Sequence, residues 1–177
     1  MRHRQPILVV VAAAALLTIA GVLLVIGGSS AAPSKSQALF RTTLLADEKT
    51  TPEVKSLLRD GGGFVAPEIQ FTDVTGDGRS DAVVLVETGG VAGAVALYVF
   101  STHGKAANSD LRAVYRSQRL YRTTVQTTGQ DLAVRVPLFK RGDDVCCPNK
   151  LVERIYSWSD AAKTLVKRSS REIAGPS

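Results

Sequence analysis

Apolar and polar positions divide this chain into a long apolar run and a patterned body. Residues 7–26 contain no charged side chain and one polar one, Thr18. A helix over this run would be about 30 Å long, which matches the thickness of a bilayer core. The six residues before it carry two arginines and a histidine. The pattern predicts a cytoplasmic n-region at 1–6 and a transmembrane anchor or signal h-region at 7–26.

Two outcomes stay open for this N-terminal segment. The flank at residues 27–32 is small and polar, as cleavage sites are, but the apolar run is longer than a usual signal h-region. An uncleaved anchor and a cleaved signal both place the body outside the cytoplasm, because the positive charges precede the run. We therefore expect a single-pass membrane protein or a secreted one. A linker is expected at 27–35 and an extracytoplasmic domain at 36–177.

Two short helices are predicted at the start of the body. Apolar residues recur at helical spacing from Ser36 to about Glu48. The second helix has clearer boundaries, with Thr51 as the N-cap, Pro52 in the first helical position and Gly61 at the end.

Strand patterns follow the helices. Residues 81–86 are apolar after the first, as in a central strand that is covered on both faces. Residues 111–118 and 121–127 are predicted as a strand pair, and 164–167 as a last short strand. Pro137 lacks a backbone N–H and places its strand, 132–139, at a sheet edge. The predicted fold class is α+β: the N-terminal transmembrane or signal helix, two short helices, then a mostly antiparallel sheet of about seven strands.

The clearest chemical pattern lies directly before the predicted central strand. Counted from Asp73 as position 1, oxygen-bearing side chains fall at positions 3, 5 and 9, and Gly78 lies at position 6 where the chain must turn. Calcium loops use side-chain oxygens at such positions and a backbone carbonyl at position 7. No glutamate follows at position 12, so the segment is not an EF-hand. Calcium binding is the prediction, and the alternative is a turn whose aspartates and glycines only shape the backbone.

The same segment resembles a known calcium motif. Asp-Val-Thr-Gly-Asp-Gly-Arg-Ser-Asp is similar to the Asp-x-x-Gly-Asp-Gly-x-x-Asp signature of FG-GAP and VCBS repeats, which are calcium-binding β modules of secreted and cell-surface proteins. The resemblance covers residues 66–86, and a single copy does not predict a propeller. The body also resembles secreted bacterial proteins that combine such a loop with a later Cys-Cys-Pro. The resemblance implies structural Ca²⁺ held by Asp73, Thr75, Asp77, Asp81 and the carbonyl of Arg79.

The two cysteines of the chain, Cys146 and Cys147, are adjacent. Outside the cytoplasm they either form a vicinal disulfide in a tight turn, remain two thiols, or bond to another chain. Catalytic thiol pairs usually have the spacing Cys-x-x-Cys. Zinc would need further ligands, and the body contains one histidine, His103. The vicinal disulfide is the expected state.

Charge adds little to this picture. The chain has 177 residues and a net charge of +6, and residues 35–177 carry 20 basic and 16 acidic side chains. No nucleic-acid-binding module accompanies the arginines, so we expect no nucleic-acid partner. The cluster is predicted as a solvated outer face of a strand pair, with contact to anionic envelope polymers as the alternative. It consists of Arg112, Arg116, Arg119 and Arg122.

These patterns predict a non-enzymatic, extracytoplasmic, calcium-stabilised binding or structural module. Its expected partners are the membrane, through residues 7–26, and an envelope or extracellular ligand. The alternative is an extracytoplasmic hydrolase or a thiol-dependent enzyme that uses the turn at Cys146 and Cys147. Asp143 and Asp144 are the candidate carboxylates for a hydrolase of this kind.

Overall fold

A computed structural model describes residues 33–60, 62–101, 111–143 and 147–175. All the described elements belong to one compact unit, Ala32–Ser177. The n-region and the apolar run lie outside the described residues, so the anchor and the signal both stay predictions. Among the described helices, none combines the length and the apolar composition that crossing a bilayer requires. The described fold has two short helices followed by antiparallel sheets, which confirms the predicted α+β class.

The helices are α1, Lys35–Ala46, and α2, Pro52–Arg59. Helix α1 begins one residue earlier than predicted because Ser34 and Gln37 form a capping box around its first turn. Helix α2 begins as predicted, with the Thr51 side chain accepting a hydrogen bond from the backbone N–H of Val54. The end predicted for this helix, Gly61, lies outside the described residues.

Five strands form the first antiparallel sheet, in the order β1-β3-β4-β5, with β2 also paired to β3. They are β1 Gly63–Val65, β2 Gln70–Thr72, β3 Asp81–Thr88, β4 Ala94–Ser101 and β5 Arg112–Gln118. The two short strands lie along the same side of β3, with Val65 opposite Val86 and Thr72 opposite Asp81. Strand β3 is therefore central, as its apolar sequence predicts.

Four strands form the second antiparallel sheet, in the order β6-β7-β8-β9. They are β6 Thr124–Thr128, β7 Asp131–Pro137, β8 Lys150–Ser159 and β9 Thr164–Ala174. The edge position expected for the strand with Pro137 is wrong, since β7 lies between β6 and β8. The proline is the last residue of β7. Strand β6 begins at Thr124 opposite Arg135, so Pro137 lies past the stretch that pairs with β6, although it still pairs with Leu151 of β8.

The described residues contain nine strands in two sheets, which corrects the expectation of about seven strands in one. Strand β1 has only three residues and directly follows glycines, so it carries no alternating pattern. Strand β9 has 11 residues because an exposed polar half extends the predicted apolar one. The predicted pairing of β5 with β6 is wrong, because β5 belongs to the first sheet and β6 to the second. Arg119 and Arg122, with φ of 70° and 44°, redirect the chain between them into the second sheet.

Two hydrophobic cores share the central strands. Successive side chains of a strand point to opposite faces of its sheet. On one face, Val84 packs with helix residues such as Leu44. On the other face, Val83 and Leu97 pack with Leu132 of the second sheet. The described body therefore has three layers: the helices, the first sheet and the second sheet.

Candidate metal site

The candidate site is the loop of residues 73–80, which connects β2 to β3. The two strands form a hairpin that closes with the pair Thr72 and Asp81. Gly76 and Gly78 have φ of 75° and 81°. Residues with a Cβ rarely adopt this left-handed conformation, so the two glycines allow the chain to turn sharply here.

Asp73 organises the backbone of this loop. Its Oδ1 accepts hydrogen bonds from the backbone N–H groups of Gly76, at 2.6 Å, and Asp77, at 3.1 Å. Its Oδ2 accepts one from the N–H of Gly78, at 2.9 Å. Both oxygens of the carboxylate therefore contact the loop's own N–H groups. These hydrogen bonds are the ones expected of a turn whose aspartates shape the backbone.

Asp81 closes the loop from the first position of β3. Its side chain is buried, with the residue 1% exposed. Oδ2 accepts hydrogen bonds from the backbone N–H groups of Val74, at 2.9 Å, and Thr75, at 2.8 Å. Val74 is itself fully buried in the core between the sheets. The Asp81 carboxylate therefore lies on the inner side of the loop and is held there by two hydrogen bonds.

Two buried oxygens of this loop have no hydrogen-bond partner within the described structure. They are Oδ1 of Asp81 and Oγ1 of Thr75, whose residue is 5% exposed. A buried polar atom without a partner costs about 1–3 kcal/mol. The other buried side-chain polar atoms described are all paired. Both exceptions thus fall on residues that the sequence predicts as calcium ligands.

The side chain of Asp77, another expected ligand, is engaged with the loop itself. Oδ1 of Asp77 accepts a hydrogen bond from the backbone N–H of Arg79, at 2.9 Å. Within the described residues, no three aspartate, glutamate, histidine or cysteine side chains lie close enough together to hold a metal ion. The donor types suit calcium, which prefers carboxylate, hydroxyl and carbonyl oxygens. The structure therefore brings Thr75 and Asp81 together, but the full five-residue ligand set stays a prediction.

The loop lies against the second sheet. Gln70, just before the loop, donates to the carbonyl oxygen of Val125 at 3.0 Å and accepts from the hydroxyl of Thr127 at 3.1 Å. A Cβ added to Gly76 would lie 3.1 Å from the side-chain nitrogen of Gln130. The order of the loop is thereby coupled to the contact between the two sheets.

The cysteine turn is described only in part. Cys147 is disulfide-bonded and exposed, whereas Cys146, Asp144 and His103 lie outside the described residues. The vicinal pairing therefore stays a prediction. Asp143 accepts hydrogen bonds from the backbone N–H of Lys140, at 2.8 Å, and the side chain of Asn149, at 3.0 Å. These two bonds, the backbone one first, hold the pKa of Asp143 below its ordinary value.

A groove of about 420 Å³ lies beside this turn, and Pro148 contributes to its wall. Apart from Arg122, Arg135 and Thr124, the described lining is apolar, and it contains no carboxylate. A general acid in hydrolysis needs a raised pKa, the opposite of the shift at Asp143. The described part of this region does not assemble a pair of catalytic carboxylates.

Two polar clusters were not predicted from the sequence. Arg116, expected in solvent, forms a salt bridge of 2.8 Å with Asp47 in the connection between the helices. Arg135, Glu153 and Arg171 form a row across three strands of the second sheet. Only the strand register reveals such rows, because their members are distant in sequence.

Comparison of the chain with known protein families, with curated proteins and with solved structures finds no match. The likeness to FG-GAP and VCBS repeats therefore remains a resemblance of one short segment.

Proposed function

We propose that this protein is a non-enzymatic, extracytoplasmic module in which the loop 73–80 and Asp81, at the start of β3, bind Ca²⁺ as a structural ion. The main observation in support is a pair of buried oxygens that have no hydrogen-bond partner within the described structure, Oγ1 of Thr75 and Oδ1 of Asp81. A cation that both oxygens coordinate removes the free-energy cost of leaving them unpaired. The resemblance of the segment to calcium-binding repeats points to the same ion.

The residues proposed to hold the ion are those of the predicted set. Thr75 and Asp81 supply the two unpaired oxygens. The other protein oxygens come from Asp73, Asp77 and the carbonyl of Arg79. Calcium takes six to eight oxygens, so water completes the shell. The ion supplies charge neutralisation for three carboxylates in one loop. Its role is structural, since the loop lies between the central strand and the second sheet.

The proposed location rests on the N-terminal sequence. Residues 1–6 are basic and residues 7–26 are apolar, so the segment either anchors the protein in the membrane or directs its secretion. Extracellular calcium modules bind the ion with dissociation constants of about 10⁻⁴–10⁻³ M. An affinity in this range would suit the calcium-rich exterior of a cell.

The non-enzymatic character is supported by the cysteine region. A disulfide-bonded Cys147 has no thiolate for nucleophilic attack. Mass spectrometry of the native protein after thiol alkylation tests this point. We expect no alkylation of either cysteine without a reductant. Alkylation of the native protein would instead favour the thiol-dependent enzyme that uses the turn at Cys146 and Cys147.

Thermal unfolding with and without calcium tests the proposed function. At 1 mM Ca²⁺ we expect a stabilisation of about 1 kcal/mol, which is a rise of about 3–5 °C in the melting temperature. Chelator removes this rise, and Mg²⁺ does not replace Ca²⁺. Asp77→Ala loses the response, and Asp60→Ala, which removes an exposed carboxylate from the end of α2, retains it. A melting temperature that calcium does not change would refute the proposal.

A further inference from the structure

The turn between β3 and β4 is a surface turn without a polar side chain. Its sequence is Gly89-Gly90-Val91-Ala92-Gly93. Val91 is 79% exposed, the most exposed of the large hydrophobic side chains described. Turns on protein surfaces are usually rich in Asn, Asp and Ser, whose side chains hydrogen-bond the nearby backbone. This hairpin instead presents an aliphatic side chain at its tip.

The connection between β5 and β6, residues 119–123, lies beside this hairpin. The backbone N–H of Arg122 donates to the carbonyl oxygen of Ala92 at 2.8 Å. A Cβ added to Gly93 would lie 3.4 Å from the Cα of Arg122. The two connections therefore pack against each other at the same end of the first sheet.

The segment that follows β7, residues 138–143, adds an exposed aromatic ring. Phe139 is 37% exposed, and its ring meets the ring of Tyr121 edge to face, with the centroids 5.8 Å apart. The contacts of residues 119–123 thus join Val91 and Phe139 into one surface, which we call the tip surface. It comprises residues 89–93, 119–123 and 138–143.

Basic side chains accompany the apolar ones on the tip surface. Its three segments contain four cations and one carboxylate, Asp143, which gives a net charge of +3. Asp143 accepts hydrogen bonds from the backbone N–H of Lys140 and from the side chain of Asn149, so it is engaged with its own loop. A surface of this charge attracts an anionic partner. The cations are Arg119, Arg122, Lys140 and Arg141.

We propose that the tip surface docks onto an anionic phospholipid bilayer. Val91 and Phe139 enter the boundary between headgroups and acyl chains, and the cations contact the lipid phosphates. Proteins that bind membrane surfaces combine apolar side chains with lysine and arginine in this way. The inference goes beyond the calcium loop, although it rests on the proposed location at the membrane. Strand β3 separates the loop from the hairpin by about 25 Å.

A protein partner fits the tip surface less well. Lysine is depleted in protein–protein interfaces, whereas it is common where proteins contact anionic lipid headgroups. A single exposed apolar side chain is ordinary on a protein surface and needs no partner. Here two such side chains, Val91 and Phe139, share one surface with four cations. Docking onto anionic lipid accounts for the combination.

Quenching of tryptophan fluorescence by lipid tests the docking. Val91→Trp places a probe at the tip of the hairpin, and Leu39→Trp, at a position of α1 that is 52% exposed, is the matched control. Each full chain is incorporated into vesicles of phosphatidylglycerol and phosphatidylcholine whose acyl chains are brominated near the headgroups. We expect bromine to quench the probe at position 91 more strongly than the tryptophan of the wild type, and the probe at position 39 no more strongly.

Two pairs of charge substitutions, each added to Val91→Trp, test the role of anionic lipid. Lys140→Gln with Arg141→Gln removes two exposed cations from the tip surface. The matched control, Arg112→Gln with Lys163→Gln, removes two exposed cations at the end of the sheets that carries the calcium loop. Each cation near an anionic surface strengthens docking by about fivefold. As the share of phosphatidylglycerol is varied, we expect the first pair to weaken docking by about twentyfold and the control by less than about twofold.

Three results would overturn the proposal. Quenching at position 91 that is no stronger than at position 39 would mean that the tip does not reach the lipid. Equal quenching in pure phosphatidylcholine, or equal losses in the two charge variants, would mean that the lipid charge has no role. All measurements are made in chelator, so the outcome is independent of calcium binding by the loop and distinguishable from the calcium experiment.

Discussion

The backbone N–H of Thr75 donates to Oδ2 of Asp81 over 2.8 Å, while the other oxygen of the same carboxylate is buried without a partner in the described structure. The hydroxyl oxygen of Thr75 is also buried without a hydrogen-bond partner among the described residues. One hydrogen bond thus joins two residues that each carry an unpaired buried oxygen. A bare turn needs the hydrogen bond but not the two unpaired oxygens, which the proposed calcium loop would use as ligands.

Thr75→Val separates these two explanations. Valine has nearly the same shape and removes the unpaired hydroxyl, so in chelator we expect the free energy of unfolding to rise by about 1 kcal/mol. In calcium the variant gains less than the wild type, because one ligand is missing. Urea unfolding in both conditions measures the difference. Thr124→Val, at an exposed position of β6, is the control and should leave the calcium response unchanged.

Gly76→Ala and Gly78→Ala test the backbone of the loop. Both residues have positive φ, so each alanine should lower the free energy of unfolding by about 1 kcal/mol. The alanine at Gly76 also meets the side chain of Gln130, whereas no atom lies within 4 Å of the Cβ position at Gly78. We therefore expect the larger loss at Gly76. Adding Gln130→Ala should reduce that loss to the level of Gly78→Ala, and equal losses in all three proteins would refute the contact.

Local signals in the sequence predict the elements of this fold well. Thr51 and Pro52 mark the start of α2, and the apolar run after Asp81 marks a strand covered on both faces. Pairing is less predictable, because it depends on contacts between distant residues. The division into two sheets follows from the turn at Arg119 and Arg122, where two non-glycine residues adopt positive φ without a sequence signal.

The candidate site shows the same limit. Spacing alone predicts which residues of the loop carry oxygens. It does not predict that Asp73 directs both oxygens to backbone N–H groups, or that the Asp81 carboxylate is buried with one oxygen unpaired. Burial and hydrogen-bond direction depend on how the loop packs against the second sheet, which the nine-residue motif does not encode.

Gln118→Leu tests the polar cluster that connects the helices to the first sheet. The Gln118 carbonyl oxygen accepts from the backbone N–H of Thr51, at 2.8 Å, and from the hydroxyl of Tyr98, at 2.9 Å. Burial raises the pKa of Tyr98 to about 12, so this hydroxyl is a donor at neutral pH. Leucine leaves both donors without their acceptor, and we expect a loss of about 2–3 kcal/mol in urea unfolding. Gln126→Leu, at an exposed position of β6, should change stability little.

Glu153→Gln tests the carboxylate that Arg135 and Arg171 share. Hydrogen bonds from Arg171 and then Arg135 hold the pKa of Glu153 below its ordinary value of 4.5. A lowered pKa means that this stabilisation is present above about pH 4.5 and is lost as the pH falls through the folded-state value. We expect the variant to unfold at lower urea than the wild type at pH 7, and the gap to close below pH 4.5. A gap that is independent of pH would contradict the ionic role of Glu153.

Calorimetric titration of the wild type with Ca²⁺ is the most direct test of the calcium loop. We expect one ion per chain with a dissociation constant of about 10⁻⁴–10⁻³ M. Thr75→Val should bind about fivefold more weakly and Asp77→Ala should lose binding, while Thr124→Val binds as the wild type does. The absence of calcium binding by the wild type, or binding that Thr75→Val and Asp77→Ala leave unchanged, would contradict the account.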